Sequence, residues 1–531
     1  MSDILDSAEV GSLATLVEEV ARSTEEGVKR FIEPASGTLR RATSRRHHIV
    51  FGRRGSGKTS LLRKAASDLT IDRRPIAFVD LEPFKGHSYP DVLMSVLIDS
   101  FTRFKEWLET AAVHSATKTS FWSKLFGNRP TRGSYNRLEA KGLAQDLNGV
   151  VEELKRQLHL CDNAELHLVI KRERESSVQG EVAAGVTVPE VLQASTTAGG
   201  SDRTRSGEET QETLRRSKID FLHQHVLEYR DAFRRLKSLS GGDSFLFLDD
   251  LYHIHRDDQA RLLDYFHRLA KGNSLWLKVG TIRHRSRWYV HGDPSIGLKL
   301  GDDADSIDLD LTLDQYSLTK TFLVQILKNL VQECAAPPVD DFLAPRAIDR
   351  LVLASGGVAR DFLGIFRGSI AEARERLRRE PEHHRGPKIG AEDVNLAAGK
   401  YGDLKQEEFK RDTLEDQQRL VEAFGRMRSF CTEKANANCF LLDQDAGGDE
   451  TSLVQELVDL RLVHLVRSGV TVSGRTGKVY KAYMLDVSQY AGSRKRRKLE
   501  MVEFWRTGSR EQLRRASLIY DPALQIGLKT A

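Results

Sequence analysis

The chain has 531 residues, 40% of them hydrophobic and 30% charged, which is the composition of a soluble globular protein too long for one core, so roughly three or four domains are expected. Its longest apolar runs, such as 245–248, fall far short of a membrane span. A formal charge of +5, from 81 basic against 76 acidic residues, is too small to announce a nucleic-acid partner by itself.

The N-terminal stretch MSDILDSAEVGSLATLVEEV is acidic and offers neither a basic start nor an apolar segment with a small-residue cleavage site, so the chain reads as cytoplasmic. Residues 1–40 read as a helical arm. Cys161, Cys334, Cys431 and Cys439 stand far apart without a CxxC pair and are expected to be free thiols, with no disulfide framework and no zinc site. The next segment, HHIVFGRRGSGKTSLLRKAA, sets Gly52, Gly57, Lys58 and Thr59 in the spacing GxxxxGK[ST], after an apolar run at 49–51 and before a helix-forming stretch at 61–66. That is the strand, loop and helix setting of a phosphate-binding loop. Its glycines let backbone amides turn inward, and the helix beginning near Lys58 adds its positive end. The expected ligand is ATP with Mg²⁺, cradled by Gly52, Arg53, Arg54, Gly55, Ser56, Gly57, Lys58, Thr59 and Ser60. Lys58 is expected to reach the β- and γ-phosphates, and Thr59 to ligate the metal.

A second strand is predicted at 76–79, ending at Asp80. The distance from Lys58 to Asp249 then far exceeds what a helix, a strand and a helix require, so an insertion is placed at 108–238. Its ends carry apolar residues at helical spacing, Leu138, Leu143, Leu147, Val151, Leu154 and Leu158 in front and Leu214, Leu222, Val226, Tyr229 and Phe233 behind, as an antiparallel helical arm would. Between them, 165–188 reads as a short hairpin and 193–211 as disordered. The segment 117–133 mixes aromatic and basic residues, a packing motif or a surface for nucleic acid or protein.

DSFLFLDDLYHIH supplies the acidic strand such a site needs, with four apolar residues followed by Asp249 and Asp250. Asp249 is expected to complete the metal site, and Asp250 to orient or deprotonate the attacking water. A further strand at 275–279 ends in Gly280, Thr281, Ile282 and Arg283, which places Thr281 or Arg283 to sense the γ-phosphate, with Arg285 and Arg287 as candidates for an arginine finger into a neighbouring subunit. These strands make an α/β core over 41–310, interrupted by the insertion. From 311 to 405 apolar residues at helical spacing, among them Leu318, Phe322 and Ile326, describe a helical lid in which Gly356 and Gly357 break one helix and Arg360 opens the next. Residues 411–490 read helix, turn, helix, strand, wing, strand, with turn glycines at Gly447 and Gly448. This resembles a winged-helix domain. The helix at 451–462 would approach a groove, although Glu456 and Asp459 suit a phosphate surface poorly, while Arg475 and Lys478 in the wing would meet phosphates. A basic tail, 491–531, opens with Arg494, Lys495, Arg496, Arg497 and Lys498 and supplies the charge that helix lacks. The histidines at 47, 48, 253, 255, 383 and 384 lack a metal-ligand set, and no nuclease constellation stands out.

GRRGSGKT, FLFLDD, GTIRHR, SGGVARDFLGIF and KIGAEDVNLAAGKY together resemble the AAA+ ATPases of the origin-recognition and archaeal initiator-like clade. The resemblance implies an α/β P-loop NTPase core built on a parallel sheet, with a helical lid, the long helical insertion and a C-terminal winged-helix domain. It also implies that Arg360 is the sensor 2 arginine, that Thr281 holds the sensor 1 position, and that the protein is a DNA-binding, oligomeric ATPase hydrolase, weakly pointing to phage-defence or mobile-element systems. Many hydrolytic members carry Glu where Asp250 stands, so slow turnover is expected. Asp250 and the Thr281–Arg283 spacing also resemble signal-transducing STAND ATPases, which leaves open a nucleotide-switch scaffold acting on an effector protein without DNA.

Overall fold

The computed structural model describes residues 4–20, 26–71, 74–114, 136–159, 199–379, 386–412, 417–445, 449–492, 499–506 and 508–522. At its centre, strands β1 (His47–Phe51), β2 (Ile76–Asp80), β3 (Ser244–Asp249) and β4 (Leu275–Thr281) lie parallel, joined by an edge strand at Ala304–Asp308. A two-stranded hairpin, β5 (Tyr289–Val290) and β6 (Ile296–Gly297), precedes the edge strand, which is therefore β7. The sheet order is β2-β3-β4-β1-β7. Every residue of β1 and β3 is buried, as in parallel strands covered on both faces, and the apolar runs 49–51 and 245–248 fill their length, with His47, His48, Ser244 and Asp249 buried at the ends. The sequence reading names four of these strands. The fifth, β7, is an edge strand in which only Ala304 and Ile307 are buried, so it lacks the apolar run that marks the others.

Among the described residues the helices are α1 (Ala8–Val20), α2 (Thr38–Ala42), α3 (Lys58–Ile71), α4 (Asp91–His114), α5 (Arg137–Leu158), α6 (Gly199–Ser240) and α7 (Arg256–Ala270) in and around the core. Then come α8 (Tyr316–Glu333), α9 (Val339–Phe342), α10 (Pro345–Ser355), α11 (Ala359–Arg379), α12 (Ala391–Asp412), α13 (Gln417–Ser429) and α14 (Asp449–Asp459). In the insertion, buried Lys218 of α6 donates to Asp91 on α4 at 2.8 Å and to the Leu158 carbonyl at the end of α5 at 3.0 Å, tying three helices together. Leu143, Leu147, Val151 and Leu154 face inward as their spacing predicts, whereas Leu138 is exposed. Helix α6 begins at Gly199, so the part of 193–211 from there on is helical where disorder was expected. The predicted hairpin at 165–188, the aromatic and basic segment at 117–133, Cys161, Gly447 and Gly448 lie outside the described residues.

The N-terminal segment does not project as an arm. Leu13, Leu16 and Val17 of α1 are buried in the same apolar core as the lid helices α8 to α12, and Arg374 of α11 donates to the Leu5 carbonyl at 2.8 Å. That core continues into the C-terminal unit, where β8 (Cys439–Asp443), β9 (Val463–Val470) and β10 (Tyr480–Leu485) form an antiparallel sheet in the order β8-β10-β9 beside α13 and α14. The loop at 471–479 between β9 and β10 is a mostly exposed wing. No helix among the described residues is long and apolar enough to cross a membrane.

Candidate nucleotide site

β1 lies inside the sheet, between β4 and β7, and the loop leaving it, 52–57, runs into α3. Gly55 and Gly57 take φ values of +87° and +98°, a region open to glycine at no steric cost. Residues 54–60 form the polar side of a cleft of about 260 Å³. Inside it, the Lys58 ammonium donates to the carbonyls of Gly52 at 3.0 Å and Arg53 at 3.4 Å and stands 4.0 Å from Asp250 Oδ1. Burial pushes Lys58 below the ordinary lysine range, and the charges of Asp250 and Asp249 pull it back. The Ser56 hydroxyl is buried without a hydrogen-bond partner. A lysine folded onto its own loop and an unused hydroxyl beside it are the donors that phosphate oxygens would satisfy.

Across the cleft stands the end of β3. Asp249 is 3% exposed, and burial, reinforced by the neighbouring Asp250 charge, raises its carboxyl to about 7, while a hydrogen bond from Thr59 works the other way. Its side chain leans over β4 because residue 280 is glycine: a Cβ there would lie 2.6 Å from Asp249 Oδ1 and 2.9 Å from Leu62 Cδ1. Thr59 and Asp249 thus present a hydroxyl and a carboxylate together, hard oxygen donors that fit Mg²⁺ alongside phosphate. Asp250 lines the same cleft, with φ +57°, and burial raises its carboxyl as well.

The lid meets the loop directly. The Arg360 backbone N–H donates to the Gly55 carbonyl at 3.3 Å, its side chain lines the cleft, and a Cβ on Gly55 would lie 2.6 Å from Arg360 Cβ. Other predicted residues sit elsewhere. Arg53 turns away from the cleft to Asp310 at 3.1 Å and to the carbonyls of Gly356 at 3.0 Å and Leu311 at 2.9 Å, fastening the loop to the lid. Thr281 is fully buried with its hydroxyl against that of Ser286. Arg283 lies over the Phe51 ring at 3.9 Å and bonds Asp308 at 3.1 Å, behind the cleft wall. Of the two finger candidates, Arg285 lies 6.0 Å from the Tyr252 ring centroid and Arg287 bonds Asp257 at 2.8 Å. In the wing, Arg475 is exposed and Lys478 bonds Asp443 at 2.7 Å. Arg494, Lys495, Arg496, Arg497 and Lys498 lie outside the described residues.

Sequence reasoning missed the cleft's apolar wall. Phe31, Ile32 and Pro34 from the N-terminal segment face Phe322 and Ile326 of α8 and Leu363 of α11. Glu33 shapes that segment by accepting the N–H groups of Leu39 at 2.7 Å and Gly37 at 3.3 Å, which caps α2. Arg30 closes the edge with a two-pronged pair to Glu333 of α8 at 2.6 and 2.8 Å. Phe322 and Ile326 were legible as a lid face; their partners carry no motif.

Sheet order, phosphate loop and lid define an α/β P-loop core with helical additions. A scan against protein-family models finds no match, and a search of curated proteins finds none either. Among solved structures, the chain is similar to the Orc1 protein of Aeropyrum pernix, solved in complex with DNA, at 14% identity over 86% of this chain and 91% of that one, with a TM-score of 0.33. It is also similar to Cdc6p of Pyrobaculum aerophilum, at 11% identity over 89% and 95% of the two chains, with a TM-score of 0.31.

Proposed function

We propose that this chain is an initiator-like AAA+ ATPase that binds ATP·Mg²⁺, hydrolyses it slowly, and uses the nucleotide state to control its self-assembly and its hold on duplex DNA. The observation that carries this reading is the convergence, on one cleft, of the Lys58–Thr59 loop, the Asp249–Asp250 strand end and the lid's Arg360. Lys58 leaves its carbonyls for the β- and γ-phosphates, Ser56 and the loop amides complete the cradle, and Arg360 offsets charge at the γ-phosphate. Mg²⁺ would be held by Thr59 and Asp249 and would neutralise phosphate charge. The apolar wall of Phe31, Ile32 and Phe322 takes the base. Asp250 orients the attacking water, and its shorter reach compared with glutamate keeps turnover slow. Arg475 and Lys478 in the wing, with the basic run at 494–498, serve the DNA backbone. A place in phage defence or in mobile-element systems would follow from the resemblance alone.

The test is titration with a fluorescent ATP analogue in the presence of Mg²⁺. Lys58→Ala removes a charged hydrogen bond of about 1.5–3 kcal/mol, so affinity should fall about 10- to 100-fold; an unchanged affinity would remove the assignment. Turnover is then measured with and without duplex DNA. Stimulation by duplex supports the initiator reading, whereas tightly retained ADP with no DNA response turns it into a switch acting on an effector protein.

A further inference from the structure

Helix α14 is the element a winged helix would set in a groove, yet its C-terminal end is turned into the ATPase. Asp459 is 5% exposed, and its Oδ2 accepts the backbone N–H of His284 at 2.9 Å, with His284 Nδ1 3.1 Å from the same oxygen. His284 sits in the short turn Arg283–Arg285 that follows Thr281 at the end of β4, so a carboxylate of the winged unit fixes a loop that stands behind the cleft wall, with Arg285 6.0 Å from the ring centroid of the lining residue Tyr252. Two residues on, Arg461 donates to Asp361 Oδ1 at 2.6 Å. Asp361 is fully buried beside Arg360 in the first turn of α11, on the lid side of the cleft.

The lid contact is part of a buried chain of ion pairs. Lys405 of α12 lies 2.9 Å from Asp361 Oδ2 and 3.0 Å from Asp486 Oδ2, and Asp486 also bonds His464 Nε2 at 2.8 Å. Burial opposes the Asp361 charge, but Arg461 and Lys405 outweigh it and hold the carboxyl below its usual range. Buried ion pairs contribute little net stability, and their best-attested use is to fix one arrangement over others. Arg461 also adopts φ +64°, uncommon for a residue with a side chain. Its neighbourhood therefore holds it in place at some cost in local conformation. The same unit is reached by a third route: Gly356, whose carbonyl accepts from the phosphate-loop residue Arg53, packs so closely on His464 that a Cβ there would overlap the imidazole.

We infer that Asp459 and Arg461 form a bracket across the nucleotide cleft, with Asp459 a positioning residue for the 281–286 loop, so that docking of the winged unit and ATP occupancy are thermodynamically linked. This rests on the nucleotide reading above. Linkage is reciprocal: ATP stabilises the docked unit, and a ligand that pulls on the wing loosens ATP by the same factor. Because the end of α14 is occupied, duplex DNA would first meet the exposed wing.

The experiment uses the full chain. Asp459→Ala, Asp459→Asn and, one turn earlier on the same helix, Gln455→Ala are compared with wild type for affinity to a fluorescent ATP analogue, melting temperature and hydrogen–deuterium exchange. Asp459→Ala should weaken ATP about five- to tenfold and speed exchange across 282–286 while melting like Gln455→Ala, and Asp459→Asn, which keeps an acceptor oxygen, should recover most of the affinity. In wild type, ATP should slow exchange across 457–464. Wild-type ATP affinity in Asp459→Ala overturns the bracket. Should that variant melt early, the wild-type exchange decides, and an absence of ATP-dependent protection at 457–464 overturns it equally. A wild-type chain that binds no ATP fails the nucleotide reading itself, a result distinct from tight binding indifferent to Asp459.

Discussion

Asp249 keeps its proton to higher pH than a carboxylate in water, chiefly because it is buried and also because Asp250 stands beside it. Unfolded, it titrates near its ordinary value of 3.8; folded, near about 7. Between those values the folded chain binds more protons than the unfolded chain, so this group lowers stability as pH rises through the window. A cation needs the ionised form, so binding of Mg²⁺ with ATP should release a proton below about pH 7, and affinity should climb with pH and level off above it. Titrations of the fluorescent ATP analogue at fixed free Mg²⁺ from about pH 6 to about pH 8 would read this directly. Asp249→Asn should flatten the profile and remove most of the Mg²⁺ dependence, and a wild-type affinity indifferent to pH would count against Asp249 as the metal's partner. Arg53 shows what spacing alone leaves open at this scale. The motif locates the loop, but which of its side chains turn outward depends on what lies opposite, and here the lid offers two carbonyls and Asp310.

The contact between the phosphate loop and α11 leaves no room for a methyl group. Gly55 has φ +87° and would place a Cβ 2.6 Å from Arg360 Cβ and 3.2 Å from Val358 Cγ1. Gly55→Ala therefore combines left-handed strain of about 1–2 kcal/mol with displacement of the helix that carries Arg360. We expect the chain to fold and its ATP affinity to drop about tenfold or more, since 1.4 kcal/mol is worth about a factor of ten; near wild-type affinity with an unchanged melting temperature would show that the lid contact is loose. Elements of this kind were legible where burial is one-dimensional. β1, β3 and β4 are covered on both faces and read as apolar runs with polar tips, and α3 follows from the glycine loop. β7 was not legible, since its sequence ADSID holds only two apolar residues, whereas the opposite edge strand, β2, carries the apolar run 76–79. The apolar wall of the cleft escaped because Phe31 and Phe322 belong to segments far apart in the chain that meet only when α8 folds over the N-terminal segment.

Apolar packing divides the molecule differently from the order of its sequence. The sheet has one core on the side of α4 to α7 and a smaller one on the side of α3, whereas α1, the lid helices and the winged unit share a single core. The seam between lid and winged unit is close because of two glycines. Gly399 and Gly402 lie three apart on one face of α12, where a Cβ on Gly399 would lie 3.4 Å from Gly492 Cα and one on Gly402 would overlap Ser488. The lid and winged unit should thus move as one body on the sheet, joined to it through Arg53, Arg360 and the Asp459–His284 contact. Removing residues 417–531 would accordingly leave an open apolar face on α12 and strip Asp361 of Arg461. Each large side chain left uncovered forfeits about 1.5–3 kcal/mol, so a handful of them exceeds what a lid of this size can lose, while Asp361 keeps Lys405 and Tyr401 but loses the charge of Arg461. The truncated chain should therefore bind a dye specific for exposed apolar surface, lose the thermal transition of the lid and bind ATP weakly. A truncated chain with native melting and no dye binding would show instead that the lid is stable alone and that the shared core is only a contact between two independent bodies.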